Sequence, residues 1–245
     1  MNLHPAAAWA SLVHSPLFGI ALTLAAYQAA RWLWRRSGQH SLTNPVLVAI
    51  LLVVVVLLVT GIDYDDYFRG GQYISFLLGP ATVALALPLH RQAPHIRRSA
   101  LPILVCLVSG AVSAVAVAIV VTKALGGSDQ LALTMAPKSA TTPIAIALAQ
   151  SSGGLPALTA VLTVLTGVLG AVAAPRVLSL LGVHDPRVRG FAIGMSSHGI
   201  GTARAFHESP LTGAFSGLAM ALNSLATAVV LPVLLATCPW LLDGF

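Results

Sequence analysis

Two stretches of this chain, Met135-Ala-Pro-Lys-Ser-Ala-Thr-Thr-Pro143 and Met195-Ser-Ser-His-Gly-Ile-Gly-Thr-Ala-Arg204, put helix breakers, hydroxyls and cations into otherwise lipid-like sequence. Polar groups at bilayer depth are costly unless they face a cavity or a partner, so they mark candidate sites. The chemistry they suit is anion binding. Lys138 and Arg204 would neutralise a carboxylate, Arg204 through a planar fork that matches two oxygens. Ser139, Thr141, Thr142, Ser197 and Thr202 would supply hydroxyl contacts, and Gly199 and Gly201 would let the backbone bend and approach closely. His198 is the residue of this set placed to titrate near neutral pH. Thr142-Pro143 reads as the cap and first position of a half-helix, and Gly201-Thr202 as a second start. Such ends attract anions through free N–H groups and the helix dipole. The competing readings are snorkelling for the two cations, a core histidine for His198, and hydroxyls bonded back to the preceding turn.

These stretches need a scaffold, and the composition says which. Hydrophobic residues make up 57% and charged residues 8% of 245, far from the balance of soluble domains. The chain reads as an all-α integral membrane protein. Runs long enough to cross a hydrocarbon core lie at about 11–34, 45–61, 99–122, 155–175 and 211–236, giving about five full spans. Three shorter, interrupted segments lie between them, at 75–90 (broken at Gly79-Pro80), 132–150 (Pro137 to Pro143) and 191–207 (Gly199 and Gly201). The expected organisation is an N-terminal helix and loop over 1–40, a membrane domain over 41–236 with halves 41–131 and 132–236, and a short tail at 237–245. No basic residue precedes the first run, so it reads as retained rather than as a cleaved signal peptide.

The net charge of +6 does not point to nucleic acid. Arg31, Arg35, Arg36, Arg91, Arg97, Arg98, Arg176, Arg187 and Arg189 sit at the ends of apolar runs, the pattern of cytoplasmic loops. The acidic stretch at 63–69 reads as an outside loop. Counting 132–150 as a full span would put the basic 184–189 loop outside, so that segment is expected to be re-entrant. The sequence leaves the side of the C-terminus open.

At an offset of 60, Met135 aligns with Met195, Lys138 with His198, Thr142 with Thr202 and Ala145 with Ala205. If each unit is one re-entrant segment plus one span, the two units are inverted in the membrane, a common plan for secondary transporters with substrate bound where the breaks meet. Cation exchange is disfavoured because no carboxylate falls in the middle of an apolar run. There is no GxxxxGK[ST] loop, HExxH, paired CxxC or nucleophile elbow, so the chain reads as a non-enzyme without cofactor or metal. Cys106 and Cys238 read as small buried hydrophobes. The small residues Gly167 and Gly170 suggest an exposed face for a homodimer.

The stretches LLGPATVALALPL (77–89), PKSATTPIA (137–145), GGLPALTAVLTVLTGVLGAV (153–172) and SSHGIGTARA (196–205) resemble the LrgB/CidB family, which is related to the plastid glycolate/glycerate translocator. The resemblance runs from about 44 to 236; no motif of it is read in the first 40 residues. It departs at Phe206-His207-Glu208, where the family often has an acidic residue sooner. The resemblance implies two roles. One is a secondary carrier of pyruvate, glycolate or glycerate in a bacterial inner membrane, with alternating access by movement of the 132–236 half. The other is a holin/antiholin-like regulator of murein hydrolase export and autolysis, acting with a small LrgA/CidA-type membrane protein. A pore former has no need of a lysine, a histidine and an arginine beside half-helix starts, so the residues favour the carrier.

Overall fold

The computed structural model describes residues 13–38, 43–77, 80, 83–84, 90 and 93–243. Within them every element is a helix, and the chain divides into two compact units, Met1–Ala86 and Leu87–Phe245. The expected break at Gly79-Pro80, most of segment 75–90 and the first 12 residues lie outside the described residues.

The first unit holds α1 (Pro16–Arg36), α2 (Pro45–Thr60) and α3 (Tyr64–Phe76). Proline opens α1 and α2, where its missing N–H costs nothing. Ser15 caps α1 by accepting from the Leu17 amide, and Asn44 caps α2 by accepting from Val46 at 2.9 Å. The acidic stretch expected as a loop is instead the start of α3. Asp63 takes the cap position, and Asp65 and Asp66 lie in the first turn, where negative charge offsets the helix dipole. Gly19 of α1 meets Gly70 of α3 so closely that a Cβ on Gly19 would lie 2.2 Å from the Tyr67 carbonyl oxygen.

The second unit holds α4 (Ala93–Arg98), α5 (Ala100–Ala124), α6 (Asp129–Met135), α7 (Thr142–Ser152), α8 (Pro156–Leu180), α9 (Pro186–Glu208), α10 (Pro210–Thr237) and α11 (Trp240–Asp243). Five runs were expected to span. Among the described residues three helices, α5, α8 and α10, are long and apolar enough to cross a membrane. The other two expected runs are not among these: α2 is a shorter apolar helix of 16 residues, and α1 ends in Arg31, Arg35 and Arg36. The outward faces of α5, α8 and α10 carry exposed Leu104, Val108, Leu165, Leu169, Leu225 and Val229, a surface suited to hydrocarbon rather than water.

Packing fixes the directions of these helices. Ile103 and Leu107 of α5 cluster with Phe215 and Ala219 of α10, and Val115 and Ile119 with Leu231, so α5 and α10 run parallel. Gly170 of α8 lies against Ser197 and Ser179 lies against Arg189, so α8 runs antiparallel to the start of α9. One end of the unit, the near end, therefore carries the start of α5, the end of α8 and the start of α10. The far end carries the reverse termini.

Candidate functional site

The site is built where two helices are broken. The first break separates α6 from α7. Helix stops at Met135, the backbone turns through Lys138 and Ala140, and helix resumes at Thr142 with Pro143 in its first turn. The cap is Thr141, one residue earlier than expected. It has no capping bond of its own, and its amide donates to the Ser224 hydroxyl of α10 at 3.0 Å. Both arms reach back to the far end. Thr159 of α8 donates to the Thr134 carbonyl at 3.0 Å, and a Cβ on Gly154 would lie 2.9 Å from the Thr134 nitrogen.

The second break is at His198, inside α9, where φ is 42° and ψ −133°. It folds the helix back on itself. In a straight helix residues 19 apart are separated by about 28 Å, yet Arg189 Nε donates to Glu208 Oε2 at 2.9 Å and its Nη2 to Oε1 at 3.1 Å. The first arm runs along α10 in its direction, with Gly190 against Thr212 and Gly194 against Ser216. The second arm runs the other way, with Thr202 bonded to the Ser216 hydroxyl at 3.0 Å and Phe206 beside Gly213. The α9 hairpin thus enters from the near end and returns to it.

The two breaks meet beside the middle of α10. His198 Nε2 donates to the Lys138 carbonyl at 3.0 Å, so the two positions aligned at an offset of 60 touch. Asn223 ties both breaks together: its Nδ2 donates to the Ser139 carbonyl at 2.8 Å and to the Met195 carbonyl at 3.3 Å. Ser139, Ser197, His198, Gly201 and Thr202 are buried, and Lys138, Thr141 and Thr142 are half-buried. Lys138 and Arg204 have no hydrogen bond or ion pair through their side chains among the described residues. Arg204 stands six residues past His198, about 9 Å along the second arm, away from the meeting point.

The glycines act differently from expectation. The reversal is at His198, and Gly199 has open room, with only Met220 Sδ at 3.8 Å from a Cβ. Gly201 serves close packing of the arms: its Cβ would meet the Ser197 Cβ at 2.3 Å. Gly167 and Gly170 are not a free face for a homodimer. They receive the His198 ring and the Ser197 hydroxyl, 2.9 Å and 2.2 Å from where a Cβ would stand. Neither cysteine is buried in the protein: Cys106 is exposed and Cys238 half-buried.

His198 is the one described non-glycine residue at positive φ, a conformation that costs a side-chain-bearing residue about 1–3 kcal/mol. His198→Gly would relieve that strain while giving up the bond to Lys138. His198→Ala would give up the bond and keep the strain. We expect the glycine variant to be the more stable of the two by about 1 kcal/mol or more, read as a higher unfolding temperature; equal stabilities would show that the backbone at 198 is unstrained.

Near-end electrostatics are separate from the breaks. Asp185 caps α9, and the Arg187 guanidinium beside it holds its carboxyl down at about 2. Glu208, whose place in the chain departs from the family pattern, is the ion-pair partner of Arg189. A largely apolar pocket of about 440 Å³ opens nearby, lined by Ile103, Cys106, Arg187, Phe191, Met195 and Phe215. It reaches Met195, whose carbonyl is one of the two held by Asn223.

Asn223 and the Gly190/Gly194 pair were not singled out from sequence. Signals existed for both: Asn223 is the single amide side chain in the 28 residues of α10, and Gly190-x-x-x-Gly194 is the spacing that lets membrane helices approach closely.

The geometry is that of an all-helical membrane protein in which two broken hairpins, entering from opposite ends, meet inside a packed unit. A family model described as the LrgB-like family matches residues 23–237, so the match starts in α1, well before the first motif read above. The chain is 32% identical over 219 residues to "Antiholin-like protein LrgB" of Bacillus mycoides (strain KBAB4), covering 89% of this chain and 95% of that protein. The proteins of the same name from Bacillus cereus (strain B4264) and Bacillus anthracis (strain CDC 684 / NRRL 3495) match to the same extent. No solved structure matches it significantly. The chain belongs to the LrgB-like family.

Proposed function

We propose that this protein is a secondary carrier of small monocarboxylates of the pyruvate, glycolate or glycerate type in a bacterial inner membrane. The observation that carries the reading is the contact of the two breaks, His198 on the Lys138 carbonyl with Asn223 bonded to both. In the bilayer, the near end is cytoplasmic, because Arg97, Arg98, Arg176, Arg187 and Arg189 gather there. The α6–α7 hairpin then dips in from outside and the α9 hairpin from inside, each followed by one span, α8 or α10. They form inverted repeats. This order places the C-terminus outside. Both resumed half-helices start at the meeting point and present electropositive N-termini to a carboxylate, with the Lys138 ammonium as its counter-charge. The near-end pocket is the route from the cytoplasm.

The relatives' printed name supports a second reading better than this one: an antiholin-like role, which in this chain would be regulation of autolysis with a small LrgA-type partner. Carriage of a metabolite and an effect on lysis are compatible. The test is uptake of labelled pyruvate, glycolate and glycerate into proteoliposomes, with and without the partner. We expect saturable uptake that falls about a hundredfold in Lys138→Ala, the scale of a lost charge-assisted contact to substrate. No uptake, or leakage without selectivity, would leave the antiholin-like role.

A further inference from the structure

The near-end pocket runs inward between α5 and the first arm of α9, from Ser99 and Arg187 to Cys106 and Met195, about 12 Å along α9. Ile103, Phe191, Met195 and Phe215 wall it, a lining that favours hydrocarbon over water. Cys106 at its inner end is exposed, and so are Leu101, Val105 and Val188 alongside, so the pocket opens onto a surface made for the bilayer. Its outer end is basic. Arg187 stands there with Nε and Nη2 on the Asp185 carboxylate, while Nη1 makes no hydrogen bond among the described residues. Arg97 and Arg98, both exposed, come just before Ser99. Against the five near-end arginines the unit sets two carboxylates, Asp185 and Glu208, each already paired. An excess of positive charge remains.

Apolar walls below a cationic rim, at the end of a spanning helix, match a molecule with a hydrocarbon tail and an anionic head. The volume sets the size: about 440 Å³ holds one hydrocarbon chain, whereas a helix about 10 Å across would fill it within roughly one turn. We propose that the pocket binds an anionic phospholipid, one acyl chain lying between α5 and α9 and the phosphate on Arg187, with Arg97 and Arg98 adding to the attraction. This goes beyond the carrier reading, which takes the same pocket as the cytoplasmic route. The chain must leave before substrate passes, so acidic lipid is a brake on uptake.

The test reads Cys106, which with Cys238→Ser is the single thiol of the full-length protein. Its rate of reaction with N-ethylmaleimide, a neutral reagent that crosses bilayers, is compared in proteoliposomes of phosphatidylcholine alone and of phosphatidylcholine mixed equally with phosphatidylglycerol. A seated chain covers the thiol, so the rate should fall about tenfold in the mixed vesicles, the order expected of one or two arginines at an anionic surface. Arg187→Gln should restore most of it; this variant keeps the cap of α9, which Asp185 makes to the backbone amide. The reference is Cys238 at the far end, in a Cys106→Ser protein, whose rate should change little between the two vesicles. Equal rates for Cys106 in both vesicles, or an equal fall at Cys238, would overturn the proposal. So would protection by inorganic phosphate alone in detergent, which makes the occupant a free anion, or protection by a co-reconstituted LrgA-type protein with no effect of phosphatidylglycerol, which makes it a partner helix. Labelling needs no transport, so a protein that carries no acid but shows the protection overturns the carrier reading and leaves the lipid site.

Discussion

Gly194→Ala should destabilise the protein strongly. A Cβ at this position would lie 2.1 Å from the Ser216 carbonyl oxygen and 2.8 Å from the Ser216 Cα, and neither backbone atom can swing aside as a side-chain tip would. Gly190 is held in the same way one turn earlier, 2.2 Å from the Thr212 carbonyl oxygen. Relief requires moving the first arm of α9 away from α10. That would strip Phe191 and Met195 from the cluster around Phe215 and draw the Met195 carbonyl off Asn223. Overpacking of this kind costs about 3 kcal/mol or more, which for a chain of this size lowers the unfolding temperature by about 10 °C. The control is Gly199→Ala, where a Cβ meets only the Met220 sulfur at ordinary contact distance. Thermal unfolding and size-exclusion profiles in one detergent compare the two directly. A Gly194→Ala protein as stable as Gly199→Ala would mean that the arm is not seated on α10 as described.

That contrast shows which parts of the molecule were legible in the sequence. Helix starts were partly, because they are local: Asn44-Pro45 and Ser209-Pro210 stand at the heads of the runs read at 45–61 and 211–236, whereas Asp185-Pro186 opens α9 inside the stretch read as the basic 184–189 loop. The break before Thr142 was legible for the same reason, and the cap shifted by only one residue because Ser224, 83 positions away, holds the Thr141 amide. The second break was placed on its glycines, since positive φ is ordinarily theirs. Its true pivot is His198, whose imidazole gains a bond to Lys138 that no local propensity reports. The site was therefore half visible. Lys138, Ser139 and His198 stood out as polar groups in apolar sequence, whereas Asn223 lay within a run read as a plain span, and its role appears only when both breaks are brought against it. Unlike these, the acidic stretch at 63–69 misled because charge alone suggested a loop, while a cap followed by two acids in a first turn also begins a helix.

The sharpest consequence of the fold concerns Arg189 and Glu208. Their side chains are 13% and 18% exposed, and Arg189 also donates to the carbonyls of Val183 and Pro175, at 3.0 Å and 3.3 Å. The guanidinium thus fastens both feet of the α9 hairpin to the end of α8. Removing either partner leaves the other charge partly buried and unpaired, at a cost of about 2–4 kcal/mol. Arg189→Met and Glu208→Gln should each destabilise by that order, and the double variant by less than the sum, because each single change already breaks the pair. The same two positions decide between a hairpin and a span. With Cys106 and Cys238 replaced by serine, cysteines at 189 and 208 should be joined within one chain by a short bifunctional thiol reagent, and both should react from the same side of the membrane. A helix crossing straight through would hold them about 28 Å apart, beyond such a reagent and on opposite faces of the bilayer. Labelling from opposite sides would remove the re-entrant hairpin, and with it the meeting of two breaks on which a midplane binding site depends.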